Sequence, residues 1–450
     1  VTNTSLWETL FDMNTPNGVA LSSTVYAPLF FRQYRFLRRS QWWTTEQHQA
    51  YQLKRLTTMI RQAYDNVPYY RRLLDSLHLT PDDFKTLEDL AKLPLLTKEE
   101  VRSNSTDLKA RNYPAAVFEP ISTSGSTGSP LTRYVERGKA PVIHFAFFKT
   151  ILDRAGMNYL SRALLIHGND TPFSPQLFGR GLLITPFTLT EENMTMILSA
   201  IRKVNPEYII AFPSAVSLLA HHIQSRGDNP FRQLKVVYCA GETLFSWQRR
   251  FLEEILGCPV LVYYDQTEQV ALAATCMQNP TVYHFYPEWG ITELIDENGD
   301  PVTTEGGRGE IVGTGFTNAL FPLFRYRTGD VGVFTTKECA CGRHYPLITH
   351  IEGRTQEFIV SKTGDTVPMT GMYATVPEYS THVKEYQFSQ RHPGDLVLHI
   401  VREPGYTLEE EKRIIEALRR RIGDGFDISV EYIEVAERSA RGKILFLVKK

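Results

Sequence analysis

Apolar residues at helical spacing mark residues 46–64 (EQHQAYQLKRLTTMIRQAY) as an amphipathic helix that stops near Val67-Pro68. Leu93-Pro-Leu-Leu-Thr-Lys98 reads as a turn into another short helix, with Thr97 as its N-cap. The pattern up to about Arg111 is therefore mostly helical. From about Phe118 to Val333 it changes. Short apolar runs at 163–168, 208–211, 234–240 and 260–264 suit buried strands, with helical stretches such as 191–204 and 246–256 between them, the latter stopped by Gly257. That alternation predicts α/β layering, with functional loops at strand ends. The last hundred residues read as a compact α+β module. Residues 384–390, 396–402 and 428–435 alternate like strands, and Thr407 with Glu410 makes a capping box for a helix. Ile414, Ile415, Leu418 and Ile422 form that helix's buried stripe before Gly423 ends it. The expected division is a large domain over 1–352, with 1–111 as its helical lead-in, and a small domain over 353–450.

At 450 residues the chain exceeds what one core usually supports. Lys+Arg 49 against Asp+Glu 50 leaves a formal charge of -1, so no net field draws nucleic acid or an anionic membrane. Five scattered cysteines do not make a secreted disulfide framework, no targeting signal opens the chain, and the uncharged stretch 208–225 is interrupted by Pro213, His221 and His222. A soluble protein of the reducing cytoplasm is expected.

Five motifs carry candidate chemistry. Residues 122–130 (STSGSTGSP) are rich in small and hydroxyl side chains, which let backbone N–H groups approach a polyphosphate, and Ser124, Ser126 and Thr127 can add donors. No Gly-Lys-Ser/Thr follows, so this is not a Walker loop; a flexible linker is the bland alternative. Tyr263-Tyr-Asp-Gln-Thr-Glu268 follows a strand, where a carboxylate can hold Mg²⁺ and Tyr264 can stack on a base. In Phe324-Arg-Tyr-Arg-Thr-Gly-Asp330, Asp330 can accept two hydrogen bonds from a ribose diol. Ile351-Glu-Gly-Arg354 precedes the small module, and Arg438-Ser-Ala-Arg-Gly-Lys443 is a cationic loop near the C-terminus.

Taken in this order, these five motifs resemble the adenylate-forming superfamily of acyl-CoA synthetases, adenylation domains and luciferases, in its branch of phenylacetate–CoA ligases and capsule-biosynthesis relatives. Asn66-Val-Pro-Tyr-Tyr-Arg71, Leu93–Glu100, Ala240-Gly-Glu-Thr243 and Arg308-Gly-Glu-Ile-Val312 extend the resemblance over nearly the whole chain. It implies a large multi-layered α/β domain and a small mobile α+β C-terminal domain. It also implies ATP- and Mg²⁺-dependent activation of a carboxylic acid as its acyl-adenylate, then transfer to the thiol of coenzyme A. Ser124, Gly125, Ser126, Thr127 and Gly128 would wrap the β- and γ-phosphates; Gly241 and Glu242 would border the adenine that Tyr264 stacks upon. Thr267 would touch the α-phosphate, Glu268 would hold Mg²⁺, Asp330 would bind the ribose with Arg354 nearby, Gln356 would be the hinge and Lys443 the adenylation lysine. Homodimerisation is an expectation of the resemblance alone.

Three positions depart from that family pattern. Asp265 stands where Gly is common, Gln356 where the hinge residue is usually Asp or Lys, and Leu131-Thr132 lacks a Lys after the phosphate loop. The acid and its acceptor are not readable. His144, Phe145, Phe147, Phe148, Phe187, Phe212 and Pro213 suggest an apolar pocket for an aryl or medium-sized acid. An amide or ester ligase using an amine, sugar or carrier-protein thiol, and a non-catalytic binding protein, are the competing readings. Cys276, His284, Cys339 and Cys341 form an allowed structural Zn²⁺ set, against a reading as ordinary thiols beside a histidine.

Overall fold

The computed structural model describes residues 19–122, 131–158, 160–166, 173–176, 180–354, 358–364, 366–369, 372, 375–380, 382–439 and 444–449. The predicted phosphate-binding residues Ser124, Gly125, Ser126, Thr127 and Gly128, the hinge Gln356 and Lys443 lie outside the described residues, as does the side chain of Arg354. Two compact units are present. One gathers the described residues within Val1–Gly125, Ser129–Leu160 and Leu261–Ile351; the other gathers those within Ser161–Val260 and Glu352–Lys450.

The first unit opens with helices Val19–Ser40, Thr45–Asn66, Pro68–Ser76 and Lys98–Ser103. Their boundaries follow local chemistry. Thr44 and Gln47 form a capping box at one start, Pro68 occupies the first turn of the next helix, and Thr97 with Glu100 caps the last as expected. Leu56, Ile60, Tyr70, Leu74 and Val101 bury their apolar faces with Phe321 and Phe324 in one core. A hairpin pairs Phe118–Ser122 with Thr132–Glu136 antiparallel.

The rest of this unit is sheet, in the order Gly290–Ile295, Arg308–Gly315, Tyr326–Phe334, Leu347–Arg354, Asn279–Phe285, Leu272–Cys276 and Val260–Asp265. Here the expected strand–helix alternation as far as Val333 is corrected. From residue 266 to 372 the described chain contains no α-helix, and consecutive strands such as Gly290–Ile295 and Arg308–Gly315 pair antiparallel. Short turns such as Asp296–Asp300, where Asp296 Oδ1 accepts from the Asn298 and Asp300 N–H groups, join them without a crossover helix.

In the second unit Val236–Ala240, Tyr208–Ala211, Ala163–Ile166 and Gly181–Ile184 are parallel neighbours, with Phe173–Gln176 antiparallel at the edge. The four parallel strands are buried along nearly their whole length, which is why they read as continuous apolar runs. Helices Glu191–Val204 and Ser246–Leu256 have the bounds the periodicity gave, and Gly257 closes the second at φ 68°. The C-terminal module pairs Val383–Gln390 with Asp395–Arg402 antiparallel and sets Asp427–Tyr432 and Leu447–Lys449 parallel at either side. Helix Leu408–Ile422, capped by Thr407 and Glu410, buries Ile414, Leu418 and Ile422 against this sheet's core. No helix among the described residues is long and apolar enough to cross a membrane.

Candidate active site and metal centre

Strand Val260–Asp265 presents alternate side chains to opposite faces, and the two faces do different work. On one face the Tyr264 hydroxyl donates to Asp330 Oδ2 at 2.8 Å and accepts from Gln266 Nε2 at 2.5 Å. Burial and the Asp330 carboxylate hold that phenol well above its ordinary pKa. Asp330 lies in strand Tyr326–Phe334 where its pairing with Arg308–Gly315 shifts register, beside Gly329, whose φ is 76° and whose N–H donates to Glu310 Oε1 at 3.0 Å. Tyr264, expected at the adenine, and Asp330, expected at the ribose, are thus in direct contact.

Thr267 and Glu268 follow in the turn, and the Tyr326 hydroxyl donates to Glu268 Oε1 at 3.0 Å. Gln269 then adopts φ 57°, a left-handed conformation that costs a non-glycine residue about 1–2 kcal/mol. Two glycines make room for this turn. A Cβ at Gly313 would come within 2.7 Å of Val270, and one at Gly315 within 2.6 Å of the Gln269 carbonyl. Residues with no side chain therefore set where Glu268 stands. The sequence reading missed this role, although the GEIVGTG run carried the signal.

On the opposite face lies an arrangement that explains Asp265. His144 Nε2 lies 2.6 Å from the Tyr263 hydroxyl and 2.9 Å from Asp265 Oδ2, and that same oxygen accepts from the Tyr263 hydroxyl at 3.1 Å. His144 and Tyr263 are both buried to about 1% exposure. Trp289, Phe147 and Phe148 pack edge-on around them. Of the aromatic residues expected to line an acid pocket, Phe147 and Phe148 are fully buried in this cluster, whereas Phe187 is 52% exposed.

In the second unit, Gly241 turns the chain at φ 77° after its strand, and Glu242 reaches the start of helix Pro213–Arg226. Its carboxylate accepts from Ser214 N–H at 2.9 Å and Ser214 Oγ at 3.0 Å, a favourable place for negative charge. It also accepts from the backbone N–H of Ile444 at 3.1 Å, immediately after Lys443. Arg438 pairs with Glu385 and donates to Ser214 Oγ at 3.3 Å.

The four residues of the expected zinc set do converge. Cys276 ends one strand, His284 lies on the hairpin partner, and Cys339 and Cys341 come from a turn shaped by Gly342 at φ 74°. Their ligand atoms all lie within 4.8 Å of one another, with Cys276 Sγ to Cys339 Sγ at 3.6 Å and Cys341 Sγ to His284 Nε2 at 3.3 Å. A tetrahedral ion with Zn–S bonds of about 2.3 Å needs edges of about 3.8 Å, so the set fits. Hydrogen bonding from Cys276 and His284 draws the Cys341 thiol well below its usual pKa.

The family model of the CapK C-terminal domain matches residues 359–450. Phenylacetate-coenzyme A ligase of Thermus thermophilus is 27% identical over 372 residues, covering 78% of this chain and 80% of its own. Protein CapK of Staphylococcus aureus is 20% identical, covering 85% of each. The solved structure of 2-hydroxyisobutyryl-CoA ligase in the postadenylation state, in complex with R3-HIB-AMP, superposes with a TM-score of 0.74 at 18% identity, covering 92% of both chains. That likeness is one of fold. In sequence, then, the chain is similar to phenylacetate–coenzyme A ligases and to protein CapK, and in fold to 2-hydroxyisobutyryl-CoA ligase.

Proposed function

We propose that the protein activates a carboxylic acid with ATP as an acyl-adenylate and passes the acyl group to the thiol of coenzyme A. The observation that carries this reading is the convergence of Tyr264, Asp330, Thr267 and Glu268 around one strand end. Tyr264 offers a face for adenine while its hydroxyl holds Asp330, whose carboxylate takes the ribose hydroxyls. Thr267 donates to the α-phosphate. The acid's carboxylate attacks that phosphorus, the bond to pyrophosphate breaks, and negative charge builds on the oxygens around it. Stabilisation is by fixed groups already in place, so little reorganisation is needed at the moment of reaction.

Glu268 suits Mg²⁺. One of its oxygens is engaged by Tyr326, and no hydrogen bond within the described residues occupies the other. Mg²⁺ takes one or two carboxylates and keeps much of its water. When bound it would neutralise phosphate charge. Lys443 is the ammonium proposed to stabilise the adenylation step, and 353–450 the mobile domain that carries it. Zn²⁺ held by Cys276, His284, Cys339 and Cys341 would be structural, tying two strands to a turn with no open ligand position. The relatives' names make a phenylacetate-like acid the first to try.

Pyrophosphate exchange over a panel of carboxylic acids, with and without coenzyme A, tests this. The expected result is acid-dependent exchange and a CoA thioester. Exchange without thioester would point to another acceptor, and no exchange with any acid would overturn the reading. Lys443→Ala should cut adenylate formation by about 10²–10³-fold, measured in single turnover.

A further inference from the structure

Arg133 occupies a position where the strand pattern calls for an apolar residue. In strand Thr132–Glu136 the buried side carries Arg133 and Val135, continuing from buried Leu131. Arg133 as a residue is 1% exposed, yet its Nε and Nη1 have no hydrogen-bond partner, and no ion pair joins it to a described residue. Burial presses its pKa down to about 10, opposed by the charges of Glu268 and Asp265, so it stays cationic at neutral pH.

This chain shows what a structural buried arginine looks like. Arg325, 5% exposed, makes a two-pronged ion pair with Glu293 at 3.0 and 3.2 Å and donates to the Leu93 carbonyl at 2.9 Å. Arg133 has none of this. Leaving the N–H donors of a buried guanidinium without acceptors is costly, and a leucine at the same place would carry no such cost. An anionic oxygen brought in by a ligand would give those donors their acceptors. Of the two carboxylates that reach it electrostatically, Glu268 is the candidate Mg²⁺ ligand and Asp265 stands on the same strand as Tyr264, and Gly128, the last of the predicted phosphate-binding residues, is five positions earlier in the chain.

We infer that Arg133 is a substrate-binding residue whose guanidinium takes an anionic oxygen of the reactants, either a phosphate oxygen of ATP or the carboxylate of the acid. This rests on the adenylate-forming reading above. A guanidinium fork meets either anion with two parallel hydrogen bonds.

The test uses the full-length protein and Arg133→Leu, with Arg133→Lys alongside. MgATP is titrated calorimetrically, thermal unfolding is followed without ligand, and KM for the acid is read in pyrophosphate exchange with whichever acid the wild-type protein accepts. Arg133→Leu should unfold at the same or a higher temperature, while one binding constant weakens on the order of tenfold to a hundredfold. Arg133→Lys, which keeps the charge but loses the fork, should fall between. Loss confined to MgATP identifies a phosphate as the anion; loss confined to the acid identifies its carboxylate. If Arg133→Leu does not fold, Arg133→Lys decides. Constants within twofold of wild type in the folded variants overturn the assignment of Arg133 alone. Wild-type protein that takes up no MgATP would sink the functional reading, and this inference with it.

Discussion

The two faces of strand Val260–Asp265 are built on opposite principles. On the face of Tyr264 the phenol donates to Asp330 and accepts from Gln266, and a neighbouring glutamate is held by a single phenol. One oxygen of Glu268 accepts no hydrogen bond among the described residues, as a carboxylate that is to meet a cation requires. The face of Tyr263 and Asp265 is closed upon itself, with His144, a phenol and a carboxylate in mutual contact inside a shell of aromatic rings. One face leaves a carboxylate oxygen open, and the other engages its polar groups with one another. Proteins satisfy buried polar groups internally where rigidity is wanted, and leave them open where a ligand will complete them.

Substitutions can break or sharpen that contrast. The largest expected effect is on the open face. Glu268→Gln should lower pyrophosphate exchange by about 10²–10³-fold with little change in thermal stability, since Glu268 is partly exposed and accepts one hydrogen bond. Equal loss in Asp265→Asn would show that the faces do not divide their work in this way. Next, His144→Ala should cost about 2–4 kcal/mol of stability, because it leaves a cavity and strands a buried phenol and carboxylate without their shared partner. Its unfolding temperature should fall while MgATP affinity holds within twofold. A tenfold loss of affinity would mean the closed face also binds nucleotide. Tyr264→Phe should weaken MgATP about tenfold, the worth of a hydrogen bond to a charged group, with stability unmoved. The smallest effect on chemistry is expected from the cysteine cluster. Native mass spectrometry should find one zinc, and a chelator should lower the unfolding temperature by several degrees without altering MgATP affinity. A metal-free protein of unchanged stability would remove the zinc.

Much of the fold was legible because it is decided locally. Thr97, Thr407 and Glu410 announce helix starts through caps that need only neighbouring residues, and Tyr208–Ala211 is a buried parallel strand whose apolar run has no other reading at that length. The sheet after Asp265 was not. Arg308–Gly315 holds three glycines and looks like loop, because what makes it a strand is its partner Gly290–Ile295 and the close approach of Gln269 and Val270. The site divides the same way. Glu268, Asp330 and the cysteine–histidine set could be named from motif and ligand chemistry. The bond of His144 to Asp265 spans 121 positions, and the solitude of Arg133 is a property of its surroundings. Neither leaves a mark on the residues beside it.

The glycines at 313 and 315 carry a consequence of their own. Because the turn bearing Glu268 rests directly on their backbone, even a methyl group at either site would shift a carboxylate that the new atom never touches. Substitutions meant to reshape the surroundings of this turn without moving it therefore have to be made elsewhere, on positions that already own a side chain. The bare stretch of strand is a fixed datum for the turn that rests on it.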